Sequence, residues 1–105
     1  MAKNKYTIKY TDTFVKQFNN ILRYFIYKLQ NKIAAENFYD EVIKEIERRS
    51  EYPDIFEKYN SRRKRKNIYY RIYVKNYTIF YTVKDNAMEV RLILSNKKRA
   101  KRPHR

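Results

Sequence analysis

In 105 residues the chain has no glycine, no cysteine and no tryptophan, one histidine and two prolines. Without glycine there is no Gly-rich phosphate loop, so neither a P-loop nor a dinucleotide fingerprint can be built. Turn positions that need a positive φ fall to Asn or Asp, the next most tolerant residues. Without cysteine there is no disulfide and no thiolate metal site. The lone histidine, His104, excludes a multi-histidine metal site. Neither a metal nor a small-molecule cofactor is expected. Long apolar runs are missing too: none approaches the roughly 18–20 residues that span a bilayer. The opening MAKNKYTIKY lacks the continuous apolar stretch of a secretory signal. The expectation is a soluble, cytoplasmic protein with no membrane partner.

Acidic residues are scarce in one half only. Residues 58–105 hold 16 Lys/Arg against Asp85 and Glu89, a net of +14, whereas residues 1–57 hold 10 Lys/Arg against 9 Asp/Glu, a net of +1. Lys, Asn, Ile and Tyr are all abundant, as in an AT-rich genome, and that bias accounts for part of the lysine. It does not account for 11 arginines or for where they lie. A near-neutral half joined to a strongly basic one suggests a scaffold that carries a surface for polyanions.

The near-neutral half reads as a strand and two helices. Lys5 to Tyr10 alternate polar and apolar, the mark of a half-buried strand. Thr11, Asp12 and Thr13 offer helix-capping oxygens. Phe14, Phe18, Ile21, Leu22, Phe25, Ile26 and Leu29 then recur at three- and four-residue steps, predicting an amphipathic helix of about five turns. After the polar break Asn31-Lys32, a second helical pattern runs through Ala34, Ala35, Phe38, Val42, Ile43 and Ile46 and ends near Ser50, before Pro53. Its polar positions carry Glu36, Asp40, Glu41, Glu45 and Glu47. So short a link predicts an antiparallel helix hairpin with facing apolar stripes.

The basic half opens with a connection over 54–67 that ends in five consecutive cations, Arg62, Arg63, Lys64, Arg65 and Lys66. Three alternating runs follow. Their apolar faces are Ile68/Tyr70/Ile72/Val74, Tyr77/Ile79/Tyr81/Val83 and Met88/Val90/Leu92/Leu94, with Asp85-Asn86 as the turn before the last run. Burying about a dozen such side chains at about 1.5–3 kcal/mol each is an adequate drive for one domain. The fold class is α+β: an N-terminal strand, an antiparallel helix hairpin, then a three-stranded antiparallel meander packed on the helices. Residues 1–95 form a single domain, and 96–105 form a basic tail too poor in apolar residues to join the core.

This order of elements resembles the RelE/ParE superfamily of bacterial type II toxins. The residues behind the resemblance are Ile33-Ala34-Ala35-Glu36-Asn37-Phe38 at the start of the second helix, Tyr52-Pro53 after it, and the hairpin from Tyr70 to Val83, read as YRIYVKNYTIFYTV. Val90 to Leu94 then run into a basic cluster, as the family's last strand does. The resemblance covers roughly residues 6–100 and implies a small toxin neutralised by a cognate acidic antitoxin. It leaves the target open between two classes. RelE-like members cut mRNA in the ribosomal decoding centre, and ParE-like members inhibit DNA gyrase without chemistry of their own. The long helix hairpin looks more like the ParE side. The leading expectation is a toxin whose basic sheet face engages the ribosome and its mRNA; a ParE-like gyrase inhibitor is the alternative, and a non-toxin nucleic-acid-binding module whose basic tail dominates is a third class.

Metal-free RNA cleavage uses the adjacent 2′-hydroxyl as nucleophile. The protein must accept its proton, stabilise the phosphorane and protonate the leaving oxygen. RelE-like sites rely on basic residues and a tyrosine for this. By resemblance Arg71, Tyr73, Lys98 and Arg99 would be the catalytic candidates. Arg62, Arg63, Lys64, Arg65, Lys66, Tyr69, Lys75, Arg91 and Lys97 would contact nucleic acid, with Tyr69 and Tyr73 able to stack on bases. The chain departs from the RelE pattern in four places. Thr78 stands where arginine is usual, Tyr73 where a second lysine is common, and Ser95 where several relatives carry histidine; no tyrosine follows the terminal basic cluster. Glu89 is expected to pair with Arg91 or a neighbouring cation. The acids Glu41, Glu45 and Glu47 form a solvated helix face able to offset basic surface. An acidic antitoxin segment would pair along a sheet edge or lay a helix over the basic face.

Overall fold

The computed structural model describes residues 6–55, 58–59 and 68–96. Arg62, Arg63, Lys64, Arg65, Lys66, Lys97, Lys98 and Arg99, and the tail beyond them, lie outside the described residues. Strand β1 (Thr7–Tyr10) leads into helix α1 (Asp12–Arg23), whose last turn passes into a π-helical segment (Tyr24–Lys28). Helix α2 (Lys32–Arg49) follows, then β2 (Lys58–Tyr59), β3 (Tyr69–Val74), β4 (Tyr77–Lys84) and β5 (Ala87–Ser95). The five strands form one sheet in the order β1-β5-β4-β3-β2, with β1 parallel to β5 and every other pair antiparallel. The expected α+β architecture is the one observed. Strand β2 was not expected, because two residues carry no alternation to read.

Capping residues place the helices as the sequence implies. Thr11 Oγ1 accepts from the Phe14 amide at 3.1 Å and donates to the Arg91 carbonyl at 3.0 Å, so one hydroxyl starts α1 and ties it to β5. Asn31 Oδ1 accepts from the Ala34 amide at 3.0 Å and starts α2. Phe14, Phe18, Phe38, Val42 and Ile46 from the helices pack on Tyr70, Ile72, Val74, Ile79, Tyr81, Met88, Val90 and Ile93 from the sheet.

Four details differ from the sequence expectation, each for a local reason. First, α1 is not α-helical through Leu29. The Leu29 amide donates to Tyr24 O at 3.0 Å, a five-residue spacing, and the widened turn rotates Leu29 off the core stripe into solvent. Second, β5 carries an extra residue: Phe80 faces Leu92 but Tyr81 faces Val90, which leaves Arg91 with no opposite number. Past that bulge the alternation inverts, so Ile93 is buried in the core and Leu92 and Leu94 sit on the opposite face. Third, Ile68 precedes β3 and is exposed instead of joining its inner face. Fourth, the left-handed positions among the described residues are Gln30, Lys75 and Asp85, so of these only Asp85 is one of the two residue types expected there. A chain without glycine puts whatever its tight turns hold into that region, at about 1–2 kcal/mol per residue.

Burial raises the phenols of Tyr10, Tyr70, Tyr77 and Tyr81 above their ordinary value; at Tyr81 the Arg49 hydrogen bond opposes the rise. A phenol with a raised folded pKa binds its proton more tightly folded than unfolded. Its contribution is therefore complete below about pH 10 and is lost as pH climbs through the folded value. Tyrosinate absorbance of the folded chain is expected to lag that of the urea-unfolded chain across this range. Coincident titration curves would contradict the burial of these four rings.

Candidate nucleic-acid interface

The helices cover one face of the sheet, and the other carries the predicted site residues of β3 and β5. On β3 the outward side chains are Tyr69, Arg71 and Tyr73, at two-residue steps. Cross-strand pairing sets three rows on this face: Tyr69–Thr82–Glu89, Arg71–Phe80–Leu92 and Tyr73–Thr78–Leu94. The bulge residue Arg91 lies between the first two. Its guanidinium carbon is 5.9 Å from the centre of the Tyr69 ring, and that of Arg71 is 5.6 Å from the Tyr73 ring. Each arginine thus lies against an aromatic ring, at cation–π distance.

The structure brings Tyr69, Arg71, Tyr73 and Arg91 onto this face. It does not bring Lys75 there. Lys75 is in the β3–β4 turn, and its ammonium lies 3.5 Å from Glu41 of α2, on the helix side. Arg91 Nη1 donates to Glu89 Oε1 at 2.8 Å, the pairing expected for that acid. Both side chains are more than a third exposed or nearly so, so the pair is worth at most about 1 kcal/mol and an arriving anion can compete for Arg91. Glu45 is likewise held by Arg48, at 3.1 Å.

The centre of the face is less polar than the sequence implies. Thr78, Phe80 and Thr82 are all buried, so β4 is buried on both sides. Thr78, which occupies the position of the usual RelE arginine, donates its hydroxyl to Asn96 Oδ1 at 2.5 Å. The face therefore presents an apolar middle with Arg/Tyr pairs along β3 and beside β5. Such a surface can neutralise phosphates and stack bases.

Arg49, at the end of α2, escaped the sequence reading. It donates to the Arg71 carbonyl at 3.0 Å and to Tyr81 Oη at 2.9 Å, and Tyr81 in turn donates to the Pro53 carbonyl at 2.7 Å. The backbone under Arg71 is thus anchored from the helix side. Nothing in a basic residue at a helix end distinguishes this one from its neighbour Arg48. No cluster of metal-ligating side chains occurs among the described residues, and no helix among them is long and apolar enough to cross a membrane.

Residues 8–100 match the family model described as the ParE toxin of the type II toxin-antitoxin system parDE. No curated protein matches the chain. Among solved structures it resembles the chromosomal ParDE TA system from P. aeruginosa, at TM-score 0.72 and 10% identity over 88% of this chain and 97% of that one. At that identity the likeness shows a shared fold. A conserved hypothetical protein from Helicobacter pylori aligns at TM-score 0.48 and 16% identity, over 88% of this chain and 96% of that one. The RelB-RelE antitoxin-toxin complex from Methanococcus jannaschii aligns at TM-score 0.44 and 21% identity, over 88% and 94%.

Proposed function

The chain belongs to the ParE toxin family of type II toxin-antitoxin systems, and on that premise we propose that it arrests growth by binding DNA gyrase, without chemistry of its own, until a cognate acidic antitoxin neutralises it. The family match across residues 8–100 carries this reading. The site residues support it. The position of the usual RelE arginine is a buried threonine tied to Asn96, and Glu89 is engaged by Arg91. Neither is presented as an acid or base for RNA cleavage. A net charge of +15 suits an acidic antitoxin, and either candidate target places the toxin in the cytoplasm.

One arrangement favours a second reading, in which the toxin acts on ribosome-bound mRNA. Arg71 and Tyr73 share one exposed face, where they could stabilise a phosphorane and stack a base, with Lys98 and Arg99 completing the constellation. Purified protein in a supercoiling assay and in a translation extract separates the two. Inhibited supercoiling with normal translation is the expected result. Translation arrest with cut mRNA and normal supercoiling would replace gyrase by the ribosome. In that case Arg71→Ala should relieve growth inhibition while the domain stays folded.

A further inference from the structure

The helix hairpin has a second face, turned away from the sheet. Along α1 and the π-helical turn, Val15, Leu22 and Ile26 form a row at seven- and four-residue steps, offset from the core row of Phe14, Phe18 and Phe25. Leu22 and Ile26 line a shallow groove of about 420 Å³, and Glu36, Tyr39 and Asp40 of α2 line it from the other side. Val15 is 44% exposed; Tyr39 is 47% exposed, although its ring lies flat against Phe18 at 5.7 Å between centres. The result is an apolar seam between two helices, open to water.

Charge is divided between the two walls of this seam. On α2, Glu36, Asp40 and Glu47 fall within about 40° of one another at 3.6 residues per turn. Glu41, Glu45 and Glu89 are each engaged by a cation, but these three acids make no ion pair among the described residues. A chain with 26 Lys/Arg has left one row of carboxylates unanswered. On α1, beyond its first turn, the charged residues are Lys16 and Arg23, both exposed. The face is therefore self-complementary, with a cationic wall, an anionic wall and an apolar strip between them.

The register of the hairpin matches these charges in pairs. Leu22 and Asp40 line the same groove, so Arg23 is level with Asp40. Lys16 is six residues before Leu22 and Glu47 seven after Asp40, and both steps are about 10 Å in antiparallel helices. A two-fold axis along the groove lays α1 of each copy over α2 of the other. Arg23 then meets Asp40 of the other copy, Lys16 meets Glu47, and the apolar rows close on each other as a four-helix layer. We infer that this outer face of the hairpin is where two copies of the chain associate, through the α1/α2 seam and its reciprocal Arg23–Asp40 and Lys16–Glu47 pairs.

The opposing term is the repulsion between two chains of net +15. The molecule is 21 Å across its thinnest direction, and Arg71 and Arg91 lie on the far side of the sheet from the hairpin. Packed hairpin to hairpin, two copies hold those faces about 40 Å apart, several times the roughly 8 Å Debye length at physiological salt. Other occupants fit less well. Nucleic acid and anionic lipid are repelled by the carboxylate row, and the chain's own end, KKRAKRPHR, brings cations but only Ala100 and Pro103 for the seam. The inference goes beyond the toxin reading and stands whichever target the toxin has.

The test is sedimentation equilibrium of the full chain at physiological salt, alongside Val15→Glu, Arg23→Glu, Asp40→Arg and the double variant Arg23→Glu/Asp40→Arg, each checked for native circular dichroism. All three positions are exposed, so these changes are compatible with folding. The unsubstituted chain should dimerise. Each single change should weaken the dimer about ten-fold or more, since every contact occurs twice across the two-fold. The double variant exchanges the signs of both partners and should recover to within about three-fold of the unsubstituted chain. A chain still monomeric at about 100 μM would overturn the inference and leave the face to a partner of another kind. A dimer indifferent to the single changes, or a double variant no tighter than the singles, would overturn it as well.

Discussion

Phe38→Ala is expected to remove about 3–5 kcal/mol of stability, the largest single loss in the domain. Phe38 is buried where both helices meet the sheet, with ring centres 6.0 Å from Phe18, 5.3 Å from Phe25 and 5.0 Å from Tyr77. Truncation forfeits the transfer energy of the ring and leaves a cavity that three rings on three different elements cannot collapse to fill. Domains of this size have about 5–15 kcal/mol in total, so a large share of the margin would go. Urea unfolding should show a much lower midpoint at unchanged slope. A loss under about 1 kcal/mol would mean that the helices do not pack on the sheet as described.

Tyr81→Phe should cost about 2–3 kcal/mol, although it removes one oxygen and no apolar area. That oxygen donates to the Pro53 carbonyl and accepts from Arg49, so its loss leaves a buried carbonyl without that donor and a guanidinium short of an acceptor. Arg49→Met should cost a similar amount, because it also releases the Arg71 carbonyl. The two are not independent. In a double-mutant cycle the pair should lose at least about 1 kcal/mol less than the sum of the singles. Strict additivity would show that Arg49 acts elsewhere than through Tyr81. Since Arg49 holds the backbone of Arg71, the cycle also reports how firmly the helix side positions the outer face.

Much of this fold was legible because its periodicities are strong. The three- and four-residue steps from Phe14 to Ile26, and the two-residue steps from Tyr70 to Val74 and from Tyr77 to Val83, each name a buried face. Thr11 and Asn31 punctuate them with side chains able to take an orphan amide. The same regularity misled where one residue too many entered a helix or a strand. Leu29, Leu92 and Leu94 were each assigned to the core side by a periodicity that the π-helical turn and the bulge had already shifted. The site was half legible. Tyr69, Arg71 and Tyr73 follow from strand parity, but Lys75 depends on which way a left-handed turn points it, and Arg49 on a carbonyl 22 residues away.

The sequence by itself determined the class of the protein: an α+β fold, strongly basic in its second half, with an element order and hairpin residues like those of the toxin family. These follow from composition and local period, which every short segment expresses on its own. Only the tertiary structure decided which cations share a face, that Lys75 turns to Glu41, that the middle of the outer face is buried, and that a groove opens beside the hairpin. Those facts arise from register and from single inserted residues, whose effect appears only when a distant strand or helix supplies the other wall.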